Sequence, residues 1–132
     1  MTAPATSLYA SLLGFLVLYL AYRIVGLRRS RKVGLGSGGD AQLEHAMRVL
    51  GNAIEYVPIA LILIALLEIN GTPRWFVHAL GGSLVLARLF HAQGFGGNTG
   101  TSPGRFYGTA LTWLVIALAA LANLVHYFIW AI

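Results

Sequence analysis

Arg48-Val-Leu-Gly-Asn52-Ala-Ile-Glu55-Tyr56-Val-Pro58 decides the reading of this chain, because it sets strongly polar side chains into a segment that is otherwise apolar. Steps of four and three residues bring Arg48, Asn52 and Glu55 onto one helical stripe. A charge facing lipid is costly, so such a stripe belongs against protein or a water-filled cavity, and an ionisable residue at membrane depth marks a functional site. The stretch therefore implies a helix in a bundle that binds something polar.

Working outward, the composition agrees with a membrane setting. Of 132 residues, 58% are hydrophobic and 10% are charged, whereas a soluble domain is roughly a quarter charged. Apolar stretches run from about Leu8 to Val25, Ala53 to Leu67, Trp75 to Phe90 and Phe106 to Ile132, near the ~20 residues that cross the hydrocarbon. The expected architecture is a single all-α domain over 1–132, an integral membrane four-helix bundle with helices roughly at 7–28, 40–69, 74–93 and 104–130. The basic cluster follows the first apolar run, the reverse of a signal peptide, so the first helix reads as retained. Without cysteine, any thiol chemistry must take its sulfur from a ligand.

The net charge of +5 has a topological explanation, which removes the need for a nucleic-acid partner. Arg28, Arg29, Arg31 and Lys32 crowd the first connection, while the second has only Arg74. The positive-inside rule then puts the first and third connections in the cytoplasm and both termini outside it. The basic run also suits lipid headgroups. Val33-Gly-Leu-Gly-Ser-Gly-Gly39 reads as a flexible loop, since the Gly-Lys-Ser/Thr ending of a P-loop is missing. Asp40 is placed to cap the second helix. At ~1.5 Å per residue that helix is longer than the hydrocarbon is thick, so its first turns project into the cytoplasm. Pro58 is tolerable within it.

Up-down order brings Arg23, Arg28, Arg48, Asn52, Glu55, Arg88, His91 and Arg105 to one membrane face. Arginine forks bind carboxylates through paired hydrogen bonds, and Glu55 can answer an ammonium group. This suits a small zwitterionic peptide with surplus negative charge. The competing reading is a packing network in which Arg48, Glu55 and Arg88 merely fix the helices. His45, His78 and His126 lack metal-ligand spacing, which gives no zinc site. Glu68 is expected to be solvated at the outer interface, and Tyr56 and Tyr107 to be interfacial aromatics.

These residues carry a resemblance over nearly the whole chain. Arg48-xxx-Asn52-xx-Glu55 followed by Pro58, Arg88-xx-His91, Arg105 opening the last helix and the glycine-rich run before helix two together resemble bacterial members of the MAPEG family, the membrane-associated proteins in eicosanoid and glutathione metabolism. The resemblance implies a homotrimer in the inner membrane, with glutathione as co-substrate bound between subunits near the cytoplasmic face. It implies that Arg48, Asn52 and Glu55 hold glutathione, helped by Arg88 and His91, and that Arg105 stabilises the thiolate. The family's helix-one arginine corresponds to either Arg23 or Arg28. Gly51, Phe95 and Phe106 stand where the prostaglandin E synthase branch has arginine, tyrosine and serine, which argues against prostaglandin chemistry.

The resulting expectation is a transferase that conjugates glutathione to hydrophobic electrophiles arriving through the bilayer, with peroxidase activity compatible with the same thiolate. The alternatives are a small proton-coupled exporter using Glu55 and a binding protein of the same fold without turnover. Membrane lipids, glutathione, the electrophile and further copies of the chain are the expected partners.

Overall fold

The computed structural model describes residues 2–93 and 102–130. They form helices α1 (Pro4–Arg31), α2 (Ala41–Ile69), α3 (Arg74–Gln93) and α4 (Pro103–Trp130). The end of α2 meets the start of α1 through Glu68 and Thr6, the starts of α1 and α3 meet through Tyr9 and His78, and α4 starts against the end of α3 at Gly108 and His91. The helices therefore alternate in direction.

Local signals explain the ends. Pro4 opens α1, where a missing N–H costs nothing, and Lys32 closes it in the left-handed region at φ 56. Arg28, Arg29 and Arg31 occupy its last turn, complementing the negative end of the helix dipole. The loop folds back so that a Cβ at Gly38, φ +58, would meet the Val33 side chain at 2.8 Å. Asp40 Oδ1 accepts the Leu43 N–H at 2.8 Å, and α2 then runs through Pro58 without interruption.

Packing follows helical periodicity. Leu43, Ala46, Val49, Ala53, Val57, Ala60, Ile64 and Leu67 are the buried positions of α2, spaced by three and four. Leu13, Ile64, Leu84 and Val115 from the four helices share one core cluster. The outside stays apolar, with Phe15, Tyr22 and Leu121 exposed, as lipid permits. Among the described residues three helices, α1, α2 and α4, are long and apolar enough to cross a membrane. The shorter α3 falls below them because it carries His78, Ser83, Arg88 and His91; Arg88 and His91 are turned inward, each at most 5% exposed. The chain is a multi-pass integral membrane protein.

Glu68 is not the solvated residue that its place near the outer interface suggests. Its carboxylate accepts the backbone N–H groups of Ala5 and Thr6, each at 2.8 Å, and the Thr6 hydroxyl at 2.7 Å. Ala3, at the N-cap position of α1, has no side chain able to do this, so a residue of α2 supplies the missing acceptors. Removing an N-cap acceptor costs roughly 0.5–2 kcal/mol. Glu68→Ala should therefore lower the midpoint of SDS-induced unfolding, and an unchanged midpoint would contradict the cap.

Helix contact also depends on small residues. A Cβ at Gly81 of α3 would overlap the Tyr9 ring of α1, and that ring's hydroxyl is 2.8 Å from His78 Nδ1. At a similar level Asn123 Nδ2 donates to Leu63 O at 3.0 Å and Ala119 O at 2.8 Å, tying α4 to α2.

Candidate functional site

Where the amino-terminal half of α2 passes the start of α4, the helices leave a cavity of about 830 Å³. That is within the usual ~300–1,000 Å³ of a small-molecule site. From α2 come His45, Arg48, Val49 and Asn52, spaced by three and four so that they fall on one face. From α4 come Arg105, Phe106, Thr109 and Trp113 at the same spacing, and α3 adds His91. Ser102 immediately precedes α4, its hydroxyl accepting the Arg105 N–H at 3.3 Å.

The cavity has two characters. Arg48, Arg105, His45 and His91 occupy the end where α2 and α4 begin, and no Asp or Glu is among the described lining residues. Phe106, Tyr107, Ala110 and Trp113 form an apolar wall that continues up α4. Tyr56 extends it, its ring centroid 6.3 Å from that of Trp113.

Behind the basic end lies a buried guanidinium. Arg88 is 1% exposed; its Nη1 donates to Asn52 Oδ1 at 2.8 Å and its Nη2 lies 3.3 Å from His91 Nδ1. Its Nε has no hydrogen-bond partner among the described residues. Arg88 thus orients both the amide and the imidazole on the cavity wall. Gly108 makes this possible: a Cβ there would meet Ala87 O at 2.6 Å and the His91 backbone N at 2.8 Å, so α4 rests directly on α3. The Thr112 hydroxyl, also buried, donates to Gly108 O at 2.8 Å.

The layer expected from the sequence divides accordingly. Arg48, Asn52, His91 and Arg105 line the cavity, and Arg88 stands one hydrogen bond behind it. Glu55 does not line it; it is exposed, as is Arg48. At ~100° per residue Glu55 lies about 20° from Arg48 but about 60° from Asn52, so it leaves the wall while Arg48 stays at the edge. Arg88 bonds Asn52 and His91, not Glu55. Arg28 organises the first loop, donating to Gly36 O at 2.9 Å and to Met47 Sδ at 3.5 Å, and Arg31 pairs with Asp40 at 3.0 Å. Arg23 is half-buried and acts electrostatically on His45. Phe106 lines the cavity, Gly51 has open space above its Cα, and Phe95 falls outside the described residues.

His45, Ser102, Tyr107, Thr109 and Trp113 also line the cavity, although the polar stripe alone does not single them out. The signal was available: His45 precedes Arg48 by three, and Trp113 follows Arg105 by eight, both helical repeats.

A membrane bundle of four helices, with a basic recess at one end and an aromatic wall leading into the bilayer, defines a class of small helical membrane proteins. The MAPEG family model matches residues 6–125, and the chain belongs to that family. It is similar to the inner membrane protein YecN of Escherichia coli K12, 39% identical over 119 residues, which covers 90% of this chain and 89% of that protein. YecN of Escherichia coli O6:H1 strain CFT073 gives the same figures.

Proposed function

We propose that this protein is a glutathione-dependent transferase that joins the thiolate of glutathione to hydrophobic electrophiles taken from the bilayer. The observation that carries this reading is the two-ended cavity: among the described lining residues, arginines and imidazoles without a carboxylate at one end, Phe106, Tyr107 and Trp113 at the other. An anionic peptide suits the first end, because paired guanidinium hydrogen bonds recognise carboxylates. Buried Arg88, which has no ion pair among the described residues, adds positive field without competing for the ligand. A lipophilic partner suits the second end.

Arg105 opens α4 beside both ends, so a sulfur held there meets a cation on one side and the apolar substrate on the other. A nearby cation favours thiolate over thiol. Thiolate attack on a peroxide would use the same groups. The exporter reading rests on Glu55, which lies off the cavity wall.

The surface of a single copy supports assembly with further copies, which we take to be a homotrimer. Glu55 and Arg48 are exposed on α2, and a charge facing hydrocarbon costs roughly 2.5–3.5 kcal/mol. A neighbouring subunit would cover both, and Glu55 would then reach the ammonium of a glutathione held in the adjoining cavity. Arg48→Ala and Glu55→Gln should each weaken glutathione binding by about 2–5 kcal/mol in calorimetric titration, the effect of truncating one partner of a buried charged contact. Parent-like affinity in both variants would make the stripe structural.

A further inference from the structure

All four helices contribute a basic group to one electrostatic cluster. Burial first, then Arg105 of α4 and Arg23 of α1, favour the neutral, proton-accepting form of His45 of α2, and Arg88, Arg105 and His45 also act on His91 of α3. Arg48 lines the cavity one turn beyond His45. A thiol that ionises here releases a proton, and the described lining residues narrow the choice of acceptor. A guanidinium has no acceptor site, and a phenol hydroxyl is a poor proton acceptor near neutrality. Among the described residues no carboxylate lines the cavity, and a neighbouring copy's Glu55 would be engaged by the peptide's ammonium, which leaves the two imidazoles, whose neutral form has an acceptor nitrogen.

The imidazoles are not equivalent. His91 is 5% exposed, its Nδ1 faces the Arg88 guanidinium at 3.3 Å, and its backbone and Cβ form the floor on which Gly108 rests. Its position is a structural one. His45 is half-buried, borders the cavity beside Arg48, and has its Nε2 shielded from bulk water.

We propose that His45 is the general base of the transfer reaction, accepting the thiol proton of the peptide whose thiolate Arg105 stabilises. The proposal rests on the glutathione reading and adds a residue to it. In the step, the S–H bond breaks, its electron pair stays on sulfur and the proton passes to an imidazole nitrogen of His45. The sulfur pair forms the C–S bond to the electrophile, and for an aryl chloride the C–Cl bond breaks with its pair leaving on chloride. The imidazolium then returns its proton to water. Arg105 acts by charge and His45 by proton transfer, so the two are separable.

The test uses the full chain purified in detergent, with glutathione and chlorodinitrobenzene as probes, over a range of pH. The expected result for His45→Gln is glutathione affinity like the parent's, conjugation at neutral pH slower by about 10²-fold or more, loss of the parent's acid limb in the rate profile, and recovery on adding free imidazole. His45→Asn, whose amide keeps a hydrogen-bonding group near the Nδ1 position, should be as slow; a parent-like rate in it would make His45 a positioning residue. An unchanged rate and pH profile in His45→Gln, in a parent that binds glutathione, would overturn the base role alone. Loss of rate that follows loss of affinity without imidazole rescue would overturn it too, making His45 a binding residue. A parent that does not bind glutathione would overturn the transferase reading itself.

Discussion

Arg105→Ala is expected to slow conjugation at neutral pH by about 10²–10³-fold, the effect of removing one group that stabilises a developing anion. The residue sits in the first turn of α4, half-buried on the cavity wall. There it shares the basic end with Arg48 and His91, while Arg88 supports that end from behind. Capture of the peptide should survive, because Asn52 and Arg48 are on a different helix and Arg88 fixes Asn52 independently of α4. The loss should therefore fall on kcat, and the bound thiol should titrate at higher pH, since removing a cation disfavours the thiolate. Thiolate absorbance across a pH titration of the glutathione complex checks this. An unchanged titration with undiminished turnover would remove Arg105 from the mechanism and transfer its role to Arg48 on the same wall or to Arg88 behind it.

The second large effect is expected where no side chain exists. Gly108→Ala should destabilise the bundle by about 1–3 kcal/mol, the usual result of overpacking, and should reduce turnover as well. The added Cβ meets the Ala87 carbonyl and the backbone and Cβ of His91, which are parts of α3 that cannot rotate away. Helix α4 must move off α3, and it carries Arg105 one turn before Gly108. A shift of ~1 Å in a catalytic group costs about 10²-fold in rate. SDS-induced unfolding and conjugation kinetics together check the prediction: parent-like stability and turnover would mean that the α3–α4 contact does not set the position of Arg105.

The helical membrane fold was legible because its signals are local and repeated. Apolar runs of spanning length, Asp40 before α2 and the basic turn ending α1 each follow from short-range physics. The membrane class and the family could be read for the same reason: Arg48, Asn52 and Glu55 before Pro58, and Arg88 with His91, stand at helical steps of three and four, and Arg105 opens the last helix. Three-dimensional placement was less legible. That Glu68 caps α1 depends on two residues 63 and 62 positions away in the chain, a contact set only by how α1 and α2 align. That Asn52 faces inward while Glu55 is exposed turns on a rotation of about 60°, finer than a stripe of polar residues defines. Gly108 carried no sequence signal as a site residue, since a glycine in an apolar helix reads equally as a lipid-facing or a packing position.

The most direct test of the account is thiolate absorbance of glutathione mixed with the unmodified, detergent-purified protein at neutral pH, read as a function of glutathione concentration. Free glutathione is mostly thiol at that pH, since an ordinary cysteine thiol titrates near ~8.5. A cavity with Arg48 and Arg105 on its wall and Arg88 behind it predicts a saturable thiolate band above the free-peptide signal, displaced by an S-alkylated glutathione that occupies the same site without an ionisable sulfur. A band no larger than that of free glutathione at every concentration would contradict the claim that this cavity binds and activates the peptide.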